Sequence, residues 1–233
     1  MISRSSSAGE LIAYLKTLRS EDNIAGMRRF GIVAEVALGI SNPDLQKIAR
    51  LAKRDHERAL ELWRSGIREA RMLALYTAEP ARLTIAQAWA WAQDFNSWEI
   101  VDAAADLFVK ARLERELIPA FAADEREFVR RTAFSMIAGA AVHLKNEPDA
   151  TILAWLPLIE AHATDPRNFV RKAVNWALRS IGKRNLTCHV QALALARQLA
   201  EQGDRSALRI GRDAVKELES PKVLERLAAK AKA

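Results

Sequence analysis

A row of cations interrupted by one tryptophan is the pattern of this sequence that most clearly suggests chemistry. Four residues follow the spacing i, i+4, i+7 and i+11, which places side chains on one stripe of a helix: Lys172, Trp176, Arg179 and Lys183. Cations neutralise phosphates, and an aromatic ring stacks on a base or lies against a sugar. The stripe therefore indicates a surface for a nucleic-acid backbone. The alternative is a tryptophan at the edge of the core beside a solvated basic face.

A carboxylate and a second tryptophan form another pair with helical spacing. Trp98 and Asp102 stand at i and i+4 near the start of a predicted helix, so the indole and the carboxylate share one face. A carboxylate in such a setting is a candidate for catalysis when its surroundings perturb it. The alternative is that Asp102 complements the helix macrodipole and that Trp98 is a packing residue.

An internal repeat relates the cationic stripe to an earlier helix. The pattern Asp-x-Arg-x-Phe-Val-Arg-basic occurs over residues 124–131 and again over residues 165–172, an offset of 41 residues (165 − 124 = 41). This offset lies within the roughly 40 to 47 residues of HEAT and armadillo repeats. Arg131 holds the place in its copy that Lys172 holds in the later one, so a basic face would continue across the repeats. The alternative for Arg131 is a surface ion pair with Glu127 at i−4.

The elements that must position these residues are helices. Only 9 glycines and 7 prolines occur in 233 residues, and apolar residues recur at spacings of three and four with almost no strand-like alternation. Three pairs resemble helix starts: Asn42 ahead of Pro43, Asn96 with Glu99, and Asp165 ahead of Pro166. The predicted helices span residues 8–19, 27–38, 43–54, 57–65, 67–78, 84–93, 97–110, 114–122, 127–142, 149–164, 167–184, 187–202, 205–217 and 221–231.

Short connections between amphipathic helices are typical of helical hairpins, which pack into a closed bundle or a solenoid. The 41-residue repeat favours the solenoid. We therefore predict an all-α, HEAT-like helical-repeat solenoid with a concave basic groove, forming a single domain over residues 1–233. We expect a monomer, because each repeat caps its neighbour and no coiled-coil seam is evident.

Composition narrows the class of function. The 36 lysines and arginines exceed the 29 aspartates and glutamates, which gives a formal charge of +7 and favours a polyanionic partner. Cys188 is the sole cysteine, which excludes an intramolecular disulfide and a cysteine-based zinc site, and the four histidines lack metal-ligand spacing. The sequence has no Gly-rich phosphate loop and no Ser or Cys nucleophile motif. We expect neither a metal nor a cofactor.

The apolar segments of the chain are short. The first residues lack the apolar stretch of a signal peptide, and runs such as residues 151–159 are too short to span a bilayer. We therefore expect no contact with a membrane and a cytoplasmic location.

Residues 165–185 carry the most specific resemblance to a known family. Their sequence is Asp-Pro-Arg-Asn-Phe-Val-Arg-Lys-Ala-Val-Asn-Trp-Ala-Leu-Arg-Ser-Ile-Gly-Lys-Arg-Asn. Together with residues 27–32, 62–63, 68–71 and 95–102, this segment is similar to the DNA alkylation repair glycosylases built from HEAT-like repeats. The resemblance extends over nearly the whole chain.

The resemblance implies a set of site residues. In that family two tryptophans, an aspartate and an arginine line a concave basic groove. Trp98 and Asp102 match its Trp-x-x-x-Asp element, Arg131 matches the arginine of its Arg-Thr-Ala element, and Trp176 matches the second tryptophan, in a Trp-x-Leu-Arg element. All four positions hold the expected residue type.

The activity implied by the resemblance is excision of cationic alkylated bases, 7-methylguanine and 3-methyladenine, from double-stranded DNA. Asp102 would be the catalytic residue, Trp98 and Trp176 would contact the lesion, and Arg131 would hold a phosphate beside it. Further contacts with the DNA backbone would come from five cations: Lys172, Arg179, Lys183, Arg171 and Arg167. Such a protein would be associated with the nucleoid.

Two other functions fit the same fold. One is a non-catalytic HEAT-repeat protein that binds damaged or branched DNA, which the complete set of four site residues argues against. The other is a scaffold that binds another protein, which would have an apolar or acidic groove. The cationic stripe of residues 172–183 favours DNA over the scaffold.

Overall fold

The computed structural model describes residues 2–32 and 36–231. Over these residues the chain folds into α-helices and one short 3₁₀ helix, Pro80–Arg82, with no strand. None of these helices is both long and apolar enough to cross a bilayer. The α-helices are α1 (Ala8–Thr17), α2 (Glu21–Arg29), α3 (Asn42–Ala52), α4 (His56–Arg64), α5 (Arg68–Thr77), α6 (Ile85–Ala92), α7 (Trp98–Lys110), α8 (Glu114–Ala123), α9 (Glu127–His143), α10 (Asp149–Leu153), α11 (Leu156–Ala161), α12 (Asn168–Gly182), α13 (Leu186–Ala200), α14 (Arg205–Leu218) and α15 (Pro221–Ala231).

The chain divides into two compact units, Met1–Ala111 and Arg112–Ala233. The N-terminal unit holds α1 to α7, and the C-terminal unit holds α8 to α15. The grouping of residues 1–233 as one domain stays a prediction.

The N-terminal unit is built around α5, which packs against α1, α3, α4 and α7. Ala70, Leu73 and Ala74 of α5 are fully buried, because small and aliphatic side chains let the surrounding helices approach closely. Residues 36–40, which precede α3, are not helical. A polar contact, described below, ties them to the start of α5.

The C-terminal unit is organised around the pair α9 and α12, with α8 on α9 and α13 and α14 on α12. Gly211 shows how closely α13 and α14 approach. A Cβ atom at this position would lie 2.2 Å from the backbone nitrogen of Ala200, so any larger residue would push the two helices apart.

The 41-residue repeat has a structural basis at the starts of α9 and α12. Arg126 and Arg167 precede these helices with nearly identical backbone angles, φ −70° and ψ 129° against φ −68° and ψ 129°. In each copy an aspartate two residues earlier, Asp124 or Asp165, accepts hydrogen bonds from the backbone N–H and the guanidinium of that arginine. The repeated pattern therefore encodes a repeated turn.

Several predicted helix starts were wrong by one or two residues. Ser41 caps α3 with its hydroxyl, and Asn42 is the first helical residue. Ser97, not Asn96, precedes α7, and Asp165 lies two residues before the N-cap of α12. In each case the residue that begins the helix is set by backbone geometry, which a side chain's capping propensity does not fix.

Two predicted helices also differ from the structure. The helix predicted over residues 27–38 is replaced by α2, which ends at Arg29 before Gly31 at φ 74°, and residues 33–35 lie outside the described residues. The helix predicted over residues 149–164 is two short helices, α10 and α11. Pro157 lies in the first turn of α11. It breaks the predicted helix, because a proline cannot donate the backbone hydrogen bond that a continuous helix needs at this position.

The turn before α12 predicts an acid-sensitive contribution to stability. Burial raises the pKa of Asp165, but hydrogen bonds from Arg167 and Arg130 and the charge of Arg167 outweigh it and lower the pKa from 3.8 to about 2. A pKa lowered by folding stabilises the protein above the unfolded value, and this stabilisation is lost as pH falls from about 4 to about 2. We expect Asp165→Asn to lower the free energy of unfolding by about 2 kcal/mol at pH 6 and by little at pH 2.

Urea unfolding at both pH values measures this difference. Asp124→Asn is the matched control, because Asp124 holds the same place in the earlier repeat but is more exposed, and its ion pair among the described residues is with Arg126, whereas Asp165 pairs with both Arg167 and Arg130. We expect a smaller effect there. A loss in Asp165→Asn that is the same at pH 6 and pH 2 would contradict the assignment.

Candidate nucleic-acid interface

The C-terminal unit contains a cavity of about 410 Å³ between α12 and its neighbours α9 and α14, here named the α12 cavity. Five of its nine lining residues are cationic and one is acidic. Such a surface attracts polyanions. The lining residues are Arg131, Arg171, Lys172, Asn175, Trp176, Arg179, Arg209, Ile210 and Asp213.

The position of Trp176 follows from the amphipathic pattern of α12. The helical spacing of apolar residues predicts a core face of α12 that includes Phe169 and the residues after it. Phe169 is only half-buried, whereas six residues of that face are buried: Val170, Ala173, Val174, Ala177, Leu178 and Ile181. Trp176 lies at the edge of that face and is half-buried, so part of its ring is available in the cavity. Lys172, one turn earlier, is exposed, and its Nζ lies 6.0 Å from the centroid of the Phe169 ring.

Arg131 reaches this cavity from α9 and is itself buried, at 6% exposure. Its Nη1 donates a hydrogen bond of 2.9 Å to the carbonyl oxygen of Phe169. The carboxylate of Glu127 accepts a hydrogen bond from the backbone N–H of Phe169 at 3.1 Å. Both side chains of α9 therefore help to fix the start of α12, and Arg131 also contributes charge to the cavity.

Arg179 and Lys183 share an acidic partner that the stripe pattern did not reveal. Glu217 of α14 accepts a hydrogen bond from each of them, with 2.5 Å between its Oε1 and Nζ of Lys183. Burial raises the pKa of the Glu217 carboxyl, but Lys183 and Arg179 outweigh it and hold the pKa below its usual value. The charge of this half of the stripe is therefore partly compensated within the protein.

Arg167 and Arg171 differ in their surroundings. Arg171 lines the cavity and donates to the side chain of Asn168 at 3.2 Å. The guanidinium of Arg167 binds the carboxylate of Asp165 through Nε and Nη2 and the carbonyl of Glu125 through Nη1. Contact of Arg167 with DNA stays a prediction, and it would require these intramolecular bonds to be exchanged.

The structure brings five of the predicted site residues to the α12 cavity, namely Arg131, Arg171, Lys172, Trp176 and Arg179. Lys183 lines a second cavity, which also includes Trp176.

Arg209 of the α12 cavity was not predicted from the sequence, although a signal for it existed. Four cations of α14 follow the same i, i+4, i+7, i+11 spacing as the first stripe, and all four are exposed: Arg205, Arg209, Arg212 and Lys216.

In the N-terminal unit, α7 carries the other two predicted residues. Trp98 is its first residue, and its indole Nε1 donates a hydrogen bond of 3.0 Å to the carbonyl of Phe30. Asp102 follows one turn later and is half-buried. Both side chains are partly accessible, as a role in binding requires.

The start of α7 is fixed by a buried ion pair. Arg68 of α5, 4% exposed, binds the carboxylate of Glu99 through Nε and through Nη2, the latter at 2.6 Å. Arg68 also contacts its neighbour Glu69, at 2.9 Å. Because Glu99 stands between Trp98 and Asp102, this pair holds the turn that carries both.

The fold and the α12 cavity define a class of protein: an all-helical repeat protein with a cationic, aromatic surface of the kind that binds nucleic acid. The chain belongs to the DNA alkylation repair enzyme family, whose model matches residues 11–218. This confirms the resemblance found in residues 165–185.

A solved structure has a fold similar to that of this chain. It is described as "A new family of proteins related to the HEAT-like repeat DNA glycosylases with affinity for branched DNA structures". The two chains are 15% identical with a TM-score of 0.75, over 91% of this chain and 95% of the other. This likeness confirms the all-helical, HEAT-like repeat fold. No curated protein matches the chain.

Proposed function

We propose that this protein is a DNA glycosylase that hydrolyses the N-glycosidic bond of cationic alkylated bases, 7-methylguanine and 3-methyladenine, in double-stranded DNA, and thereby begins base excision repair. The observation that carries the proposal is the α12 cavity, in which cations surround Trp176, in a chain of the DNA alkylation repair enzyme family. We propose that the protein acts as a monomer.

The chemistry assigned to Asp102 is electrostatic. Breaking the N-glycosidic bond leaves the electron pair with the base, which departs neutral because the methylated base was positively charged. Positive charge develops on the deoxyribose, and a fixed carboxylate stabilises it and orients the attacking water. The leaving group is already activated, so no strong general acid is needed.

The tryptophans supply affinity for the charged nucleotide. The faces of Trp98 and Trp176 are electron-rich, and each would attract a cationic base or sugar by about 0.5 to 2 kcal/mol. The hydrogen bond from Trp98 to Phe30 holds the first indole in place. Arg131 is anchored on the Phe169 carbonyl, so its charge is fixed before a phosphate arrives.

The exposed cations would bind the DNA backbone and release its counterions. If Lys172, Arg171, Arg209 and their neighbours engage about five phosphates, the logarithm of the binding constant for undamaged duplex falls with the logarithm of salt concentration with a slope of roughly −4 to −5. Fluorescence anisotropy titrations at salt concentrations between about 50 and 200 mM measure this slope. A slope near zero would contradict a phosphate-binding surface.

Glu217 would weaken this binding of DNA, because its carboxylate forms ion pairs with Arg179 and Lys183. We expect Glu217→Gln to bind undamaged duplex about fivefold more tightly at low salt, since removing a unit charge a few Å from a phosphate in water is worth roughly 1 kcal/mol. Anisotropy titrations measure the change. Glu219→Gln is the control, because Glu219 ends the same helix but is paired with Arg197 at 2.6 Å. Weaker binding by Glu217→Gln alone would show that the carboxylate positions the two cations for DNA.

A second function is favoured by the solved relative, which is described as having affinity for branched DNA structures. In that case the protein would bind a branched junction without excising bases. Incubation with methylated duplex separates the two: release of free methylated base supports the glycosylase. Tight binding of a four-way junction with no base release supports the non-catalytic protein.

A further inference from the structure

The C-terminal unit contains a second cavity, of about 690 Å³, which is named the α15 cavity here. Five of its lining side chains are cationic and two are acidic. The charged residues are Lys145, Lys183, Arg184, Arg226, Lys230, Glu147 and Asp149. Trp176 lines this cavity as well as the α12 cavity.

The two acids are already engaged by other groups. Glu147 binds Arg112 and, at 3.7 Å, Arg115, neither of which lines the cavity. Asp149 accepts hydrogen bonds from Arg184 at 3.2 Å and from the side-chain amide of Asn185 at 2.8 Å. Lys183 is likewise bound by Glu217. Among the described residues, Lys145, Arg226 and Lys230 therefore form no ion pair with a carboxylate, and their positive charge is left uncompensated.

The ammonium group of Lys230 is fixed at the wall of the α15 cavity by two hydrogen bonds. Its Nζ donates to the carbonyls of Lys183 and Arg184, the two residues that follow α12, at 3.0 and 2.8 Å. Among the described residues these are its two hydrogen bonds, so one N–H of the ammonium remains for a ligand. Burial lowers the pKa of Lys230, and the charges of Arg226, Arg184 and Lys145 lower it further. An anion placed there would relieve this repulsion.

We propose that the α15 cavity binds a phosphate of the DNA backbone, with Arg226 and Lys230 as its principal ligands and Lys145 beside them. The inference rests on the proposed binding of DNA. Trp176 belongs to both cavities, so a strand whose sugar or base lies against this ring has cationic sites for its phosphates in each of them. Exposed Val142 lines the same cavity and suits the apolar face of a sugar.

Binding of an undamaged duplex to Arg226→Gln/Lys230→Gln tests the proposal. We expect this variant to bind about tenfold more weakly at about 100 mM salt. The slope of the logarithm of the binding constant against the logarithm of salt concentration should be smaller in magnitude by about one to two. Lys222→Gln is the control, because Lys222 is exposed on the same helix but does not line the cavity. Arg226→Lys/Lys230→Arg keeps both charges and should bind within about threefold of wild type.

The outcomes of this experiment test the phosphate site independently of the proposed glycosylase activity. Equal binding by wild type and Arg226→Gln/Lys230→Gln overturns the phosphate site, even if wild type releases bases. Weaker binding by that variant supports the site, even if wild type releases none and the glycosylase proposal fails. Wild type that does not bind DNA overturns both. If the double variant does not fold, Lys145→Gln, a change at an exposed residue, provides the same comparison.

Discussion

Replacing Asp102 by asparagine is expected to slow the release of 7-methylguanine by about 10²- to 10³-fold, the usual consequence of removing one preorganised electrostatic group from a reaction centre. The asparagine keeps the size and half-buried position of the side chain but removes its charge. In the proposed mechanism that charge is needed when the sugar becomes cationic, and it is not needed to hold the DNA. Affinity for methylated duplex should therefore stay within about threefold. Single-turnover release at saturating protein measures the chemical step.

Asp106→Asn is the matched control for this experiment. Asp106 lies one turn further along α7, and its carboxylate is paired with Lys110 at 2.5 Å. We expect release at close to the wild-type rate. Equal slowing in both variants would show that the effect arises from α7 as a whole. A wild-type rate in Asp102→Asn would remove the carboxylate from the mechanism.

The largest effect on stability is expected at Glu69, which is fully buried. Its carboxylate accepts hydrogen bonds of 2.8 Å from the backbone N–H groups of Leu38 and Gly39 and one of 2.9 Å from Arg68. Glutamine would remove the charge and turn a donor toward one of these donors. We expect the free energy of unfolding of Glu69→Gln to fall by about 3 to 5 kcal/mol, as when one partner of a buried pair is removed.

Urea unfolding measures this loss. Glu57→Gln is the control, because Glu57 forms an exposed ion pair with Arg82, and we expect it to lose less than about 1 kcal/mol. A midpoint in Glu69→Gln equal to that of wild type would mean that the loop before α3 does not depend on this carboxylate. Arg68 links Glu69 to Glu99, so the loss should also be felt at the start of α7.

Much of the fold could be predicted from the sequence, because the spacing of apolar residues that marks a helix lies within the helix itself. The core face of α12 and the repeated turn before α9 and α12 follow from spacing alone. The segment before α3 could not be predicted in this way. Its conformation depends on the Glu69 carboxylate, about thirty residues further along the chain. A local sequence pattern cannot predict a contact between residues so far apart.

The candidate site shows the same division. The spacing of residues 172–183 predicted which side of α12 carries cations, and Trp176 lies at the edge predicted for it. The stripe did not predict Glu217, which neutralises part of it from another helix. Nor did it separate Arg171, which lines the cavity, from Arg167, whose bonds lie within the turn. Charge on a helix wheel does not say which cations already have partners.

The measurement that tests the central proposal most directly counts the two products of N-glycosidic hydrolysis in one reaction. Wild type is incubated with methylated duplex, and free methylated bases and abasic sites are quantified in parallel. A glycosylase yields equal amounts of both, with 7-methylguanine and 3-methyladenine among the released bases. Undamaged duplex should yield neither. Stable binding of the methylated duplex with no free base and no abasic sites would contradict the proposal and identify a DNA-binding protein without this activity.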